Sequence, residues 1–176
     1  MKAAGFLVAL AAFALLPLVF STYITSLFLA LFLTAALAQS YDLVGGHLGY
    51  LNLGHAAFFG IGAYAFGVLY AGGWGLPLAW LAGALLPALA ALLMSYPFFR
   101  LRGAYFALAT FGLVGLLERL ASNLSGLTRG SEGLTIPPGY RLYPAYYILL
   151  LLCAALTIGT WRLSRSRVGL ALVAIR

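Results

Sequence analysis

The sequence predicts an all-α, polytopic transmembrane protein of about six spans, with a broken or re-entrant segment near residues 41–53. Three observations carry that prediction. Of the 176 residues, 64% are hydrophobic and 7% are charged; the mean hydropathy is +1.05; and Asp, Glu, Lys and Arg are missing from residues 3–41, 43–99, 103–117 and 142–161. A soluble domain of this length could not hide so much apolar surface. A helix crosses the hydrocarbon layer with roughly 20 apolar residues, so each of the two longest uncharged stretches holds more than one span.

Punctuation by Gly, Pro and charge places the spans at about 3–20, 25–41, 54–72, 76–97, 104–122 and 143–161. Lys2 followed by an apolar run resembles the start of a signal peptide, but no small-x-small cleavage site follows, so the run is read as an uncleaved first helix. The stretch YDLVGGHLGYLNL, 41–53, combines three glycines with polar side chains. Such backbone survives at membrane depth only where protein or a watery cavity satisfies its N–H and C=O groups. On the third span Ala56, Gly60, Ala63 and Gly67 form a small-residue face suited to close helix packing; an Ala- and Gly-rich helix also shows such stripes by chance. Pro87 falls in mid-span on the fourth segment, where it removes a backbone hydrogen bond and should kink the helix. The polar, turn-rich stretch SNLSGLTRGSEGLTIPPGY belongs to a loop over 122–142.

Charge placement sets the orientation. With the N-terminus inside, six spans put Lys2, Arg100, Arg102, Arg162, Arg165, Arg167 and Arg176 in the cytoplasm, seven of the ten basic residues, and the 122–142 loop outside. The inverted arrangement leaves three of ten inside.

Enzyme chemistry and nucleic-acid binding find no support. Asp42, Glu118 and Glu132 are the only carboxylates, and His47 and His55 the only histidines. None is spaced for a metal site or for a nucleophile with its base, so no catalytic residue, metal or cofactor is expected. The net charge of +7 comes from basic residues that form no aromatic-interleaved patch. Cys153, the single cysteine, lies in an apolar run and reads as a small packing residue. Glu118 and Arg119, near the outer end of the fifth span, read either as a gate on a pathway or as interfacial helix-end charges.

Three stretches resemble one family: GYLNLGHAAFFGIGAYAFGVL at 49–69, LRGAYFALATFGLVGLLERLASNLSGLTRGSEGLT at 101–135, and SRVGLALVAIR at 166–176. They are similar to the membrane subunits of branched-chain amino-acid ABC importers, the LivM-like branch in particular, and they occur in the family's order. The resemblance implies a single transmembrane permease domain over 1–176 in a bacterial inner membrane. Its implied partners are a homologous permease, cytoplasmic ATPase subunits that hydrolyse the ATP, and a periplasmic amino-acid-binding protein. Family members continue beyond the point where this sequence stops, so it is expected to be the N-terminal part of a longer fold.

The resemblance also suggests where function lies. Asn52, Gly54, His55, Phe58, Gly60 and Tyr64 are the candidate translocation path. There glycines turn the backbone into a helix whose free N–H groups could face a substrate carboxylate. Asn52 and His55 are either polar handles for substrate or caps and backbone partners at the helix start. The segment 164–176 is the candidate ATPase-coupling element, carried by Arg165, Arg167, Val168, Gly169, Leu172, Ile175 and Arg176, with Val168, Leu172 and Ile175 as apolar anchors at helical spacing. An ordinary positive-inside flank is the plainer reading of that segment. Alternatives for the whole are a permease for urea, other amino acids or amides, a secondary transporter, or an inactive fragment.

Overall fold

The computed structural model describes residues 3–136 and 141–175, without the side chains of Ala3, Ala4, Val168, Val173 and Ile175. Six apolar helices stand where the sequence places spans: α1 (Ala3–Val19), α2 (Thr22–Gly45), α3 (His55–Ala71), α4 (Leu76–Phe98), α5 (Ala104–Asn123) and, after the polar loop, α7 (Leu142–Ser164). The loop holds the one-turn α6 (Ser125–Thr128) and a 3₁₀ turn (Gly130–Glu132), and α8 (Arg167–Ile175) follows α7. Among the described residues there is no strand.

Helices α2, α4, α5 and α7 have 20 to 24 residues and are long and apolar enough to cross a membrane. With 17 residues each, α1 and α3 are shorter. In α3 the reason is its lead-in: α2 runs on through Tyr41 and Asp42 to Gly45, and irregular backbone then occupies 46–54. The break is therefore shorter than the expected 41–53 at its start, because the Asp42 carbonyl still accepts from Gly46 N at 2.9 Å and His47 N at 3.1 Å.

The chain divides into two compact units, Met1–Gly49 with Gly139–Arg176, and Tyr50–Pro138. In the first, α2 and α7 pack along their lengths around Phe32, Ala36, Tyr146, Leu150 and Cys153. Phe32 meets Tyr146 edge-on at 5.4 Å, the Cys153 thiol donates to Phe32 O at 3.0 Å, and Thr157 pairs with Gln39 at 3.2 Å. These contacts climb both helices together, so α2 and α7 run parallel. Helix α1 joins them through a consequence of Pro17. Proline has no N–H, so the carbonyl four residues earlier, that of Phe13, loses its helical donor. The fully buried Tyr146 supplies the replacement, its hydroxyl donating to Phe13 O at 2.7 Å.

The second unit solves the same problem differently. Pro87 removes the donor for the Gly83 carbonyl, and at that level α4 crosses α3 with a glycine on each helix. A Cβ added to Gly62 would come within 2.8 Å of Gly83 O, and one added to Gly83 within 3.2 Å of Gly62 O. Two bare Cα atoms let the backbones approach and offer weak C–H donors to the carbonyls. The tight crossing thus uses Gly62, not the expected stripe through Gly60, where an added Cβ would meet nothing within 4 Å. Phe66, stacked on Tyr70 and edge-on to Trp80, extends the α3–α4 contact.

The loop after α5 folds back on it. Thr128 Oγ1 donates to the Ala121 or Leu124 carbonyl at 2.5 or 2.8 Å and accepts from Gly130 N at 3.3 Å, holding Arg129 at a left-handed φ of 59°.

If Tyr146 answers a carbonyl freed by Pro17, Tyr146→Phe should destabilise the protein by about 1 kcal/mol, and by less than half as much in a Pro17→Ala background, where Phe13 O regains its helical donor. A double-mutant cycle on unfolding in mixed micelles checks this; equal costs in both backgrounds would separate the two residues.

Candidate functional site

Two constellations emerge, one in each unit. In the Tyr50–Pro138 unit, the irregular lead-in to α3 is strapped onto α5. Tyr50 packs edge-on against Phe99 and Phe106, with centroids 5.7 and 4.9 Å away. The Asn52 carboxamide oxygen accepts from Gly54 N at 3.0 Å, closing a local turn. Leu53 N, in the irregular backbone before α3, donates across to Thr110 Oγ1 on α5 at 3.1 Å. The hydroxyl of Thr110 is itself directed at the carbonyl of Phe106 or Ala107, at 2.9 or 3.0 Å. Gly54 rests on the Thr110 backbone so closely that a Cβ would stand 2.8 Å from its carbonyl oxygen. Helix α3 begins at the next residue, the half-buried His55.

Farther along α3 opens a cleft of about 940 Å³ between α3, α4, α5 and α6. Gly60 and Tyr64 line it from α3, Leu86 and Leu93 from α4, Leu117 and Glu118 from α5. The candidate path residues thus separate into two groups. Asn52 and Gly54 belong to the strap, with His55 following it, and these three and Phe58 do not line the cleft; Gly60 and Tyr64 do. Thr110, which the sequence reading did not single out, anchors the strap, and Glu118, read there as either a gate or an interfacial charge, borders the cleft. Their signal was available: Thr110, Val114, Leu117, Glu118 and Ala121 follow i, i+4, i+7, i+8, i+11 and form one helical face.

The second constellation is the junction of α7 and α8. His47, just past α2, meets the Asp42 carbonyl through Nδ1 at 3.2 Å and Ser164 Oγ through Nε2 at 3.0 Å, tying the end of α2 to that of α7. The Arg165 guanidinium lies over the Trp161 ring at 4.5 Å. Ser166 caps α8, its Oγ accepting from Gly169 N at 3.1 Å. Gly169 is buried against the Leu163 carbonyl, where a Cβ would collide, so the turn demands glycine. Arg167 is exposed, Leu172 half-buried and Leu170, which was not among the expected anchors, 64% exposed. Arg176 and the side chains of Val168 and Ile175 lie outside the described residues.

Apolar helices long enough to span, a helix entered through unwound backbone, and a cleft between helices define a multi-pass membrane transport protein. Comparison with known proteins makes the class specific. The profile of the family described as "Branched-chain amino acid transport system / permease component" matches residues 23–176, and the chain belongs to that family. Among curated proteins it is similar to the high-affinity branched-chain amino acid transport system permease protein LivM of Salmonella typhimurium (strain LT2) and to that of Escherichia coli (strain K12). It is 36% identical to each over 107 residues, which is 58% of this chain and 24% of the relative. The matched part thus spans about a quarter of those relatives' length. No solved structure gives a significant match.

Thr110→Val keeps the shape of the strap's anchor but removes its acceptor. Leaving Leu53 N unmet should cost about 1 to 3 kcal/mol, seen as faster amide exchange at residues 50–54, while Thr110→Ser should retain most of the protection. Unchanged exchange in Thr110→Val would show the strap to be held by its aromatic contacts alone.

Proposed function

We propose that this chain is permease sequence of an ATP-driven importer for branched-chain amino acids, working in a bacterial inner membrane with a homologous permease, cytoplasmic ATPase subunits and a periplasmic amino-acid-binding protein. The observation that carries the reading is the family match over 23–176 together with the build of α8. A nine-residue helix leaves α7 through a capped, glycine-dependent turn and presents Leu170 outward. A helix so held can dock in a groove of a partner and pass displacement to α7. ATP hydrolysis belongs to that partner, and this subunit's part is the path.

In the same proposal the N-terminus, the Arg100–Arg102 turn and α8 are cytoplasmic, and the 122–142 loop is periplasmic. The basic residues favour that side. The parallel course of α2 and α7 fits an odd number of crossings between them, as α3, α4 and α5 would make; this sets which loops share a side, and the basic residues alone choose the side. The folded-back loop then offers Arg129 and Glu132 to the binding protein as charges at the rim of contact, which act mainly on association rate.

The orientation is tested with single cysteines at Arg102 and Ser131 in a Cys153→Ala background. Membrane-impermeant reagent should label Ser131→Cys from the periplasm and Arg102→Cys from the cytoplasm only; the reverse pattern would invert the protein.

Coupling is tested with Leu170→Asp in the full-length permease. A charge forced into an apolar groove without a partner costs several kcal/mol, about two or more, so recovery of the ATPase on co-purification should fall at least tenfold, by rough conversion, with membrane insertion unchanged. Undiminished recovery and normal leucine-stimulated ATP hydrolysis would reduce α8 to a basic flank.

A further inference from the structure

We propose that the cleft between α3, α4, α5 and α6 is a seat for the transported amino acid, and that Glu118 holds its ammonium group there. The inference rests on the function proposed above and adds the residue that recognises the substrate's charge. Helix α5 continues five residues past Glu118 to Asn123, about 7.5 Å at the helical rise. The carboxylate therefore stands inside the helix, not at its tip. The Glu118 side chain is exposed and borders the cleft beside aliphatic residues and the hydroxyls of Ser122 and Thr128, and among the described residues no basic side chain forms an ion pair with it. An ionisable group within an apolar span is expensive, and the usual recompense is a partner encountered in function. The missing partner is a cation.

The rest of the cleft fits the rest of such a ligand. Gly60 leaves open space at its wall, and Leu86, Leu93, Val114 and Leu117 offer aliphatic surface to a branched side chain. The Tyr64 hydroxyl, on the facing helix, has no hydrogen-bond partner among the described residues and can donate to a carboxylate. At about 940 Å³ the cleft is within the usual range for small-molecule sites, with room for accompanying water. One acceptor for an ammonium, one donor for a carboxylate and aliphatic lining in the same cleft suit a zwitterionic amino acid with an apolar side chain.

The test uses the complete importer in proteoliposomes with its binding protein, measuring leucine uptake and ATP hydrolysis for wild type, Glu118→Gln and Glu118→Asp. Losing a charge-assisted contact should lower uptake by Glu118→Gln about tenfold or more, with Glu118→Asp in between and ATP hydrolysis stimulated by loaded binding protein kept within about twofold of wild type. Wild-type uptake by Glu118→Gln would overturn the inference. So would equal loss of uptake and hydrolysis in both variants, the signature of a structural role. As a second measurement, Val114→Cys should react with a water-soluble thiol reagent and be protected by leucine; a cysteine that never reacts would mean that protein fills the cleft. Failure of the wild-type importer to take up leucine at all would instead defeat the underlying function.

Discussion

A carbonyl oxygen that has lost its helical N–H inside a hydrocarbon layer must be met by another group, because water is not there to meet it. Prolines at 17, 87 and 97 create that need, and at the first two a neighbouring helix stands where the carbonyl is freed. At one, the buried Tyr146 hydroxyl reaches Phe13 O, which fixes where α1 lies against α7 and so completes the core that α2 and α7 begin. At the other, Gly83 and Gly62 bring two backbones together, which fixes the crossing of α3 and α4 and with it two walls of the cleft. Pro17 and Pro87 thus each mark a place where two helices meet at a freed carbonyl that lipid cannot satisfy.

Helix α5 carries two tasks on one face. Thr110 anchors the unwound approach to α3, and Glu118, eight residues on and about 12 Å along the axis, looks into the cleft. A rigid helix joining the two means that α3 is held at its entry by the same element that forms the opposite wall of the opening. Substitutions that loosen the strap should therefore also alter the cleft, although they touch none of its lining.

The helices were legible in the sequence because lipid demands long apolar runs, and the runs at 25–41, 76–97, 104–122 and 143–161 all became spanning-length helices with ends extended by a few residues. Their mutual contacts were less so. The small-residue stripe drew attention to Gly60, yet spacing along one helix cannot say which small-residue face meets a neighbour's freed carbonyl; Pro87, four residues after Gly83, was read as a kink and not as the source of that carbonyl. Asn52 was left open between substrate handle and local partner, and its bond to Gly54 N supplies a local role that depends on the exact path of the turn. Glu118 was visible as a charge in an apolar stretch, but its aim into a cleft arises from three helices at once, which no single-helix pattern encodes.

The bond between Tyr146 and Phe13 joins residues 133 positions apart, so it has a bearing on how the protein is made. Ribosomes add about 5 to 20 residues per second, and α1 therefore waits on the order of ten seconds for the tyrosine that completes it. During that interval the Phe13 carbonyl is without its tyrosine donor, so the docking of α1 is completed only once α7 has been made.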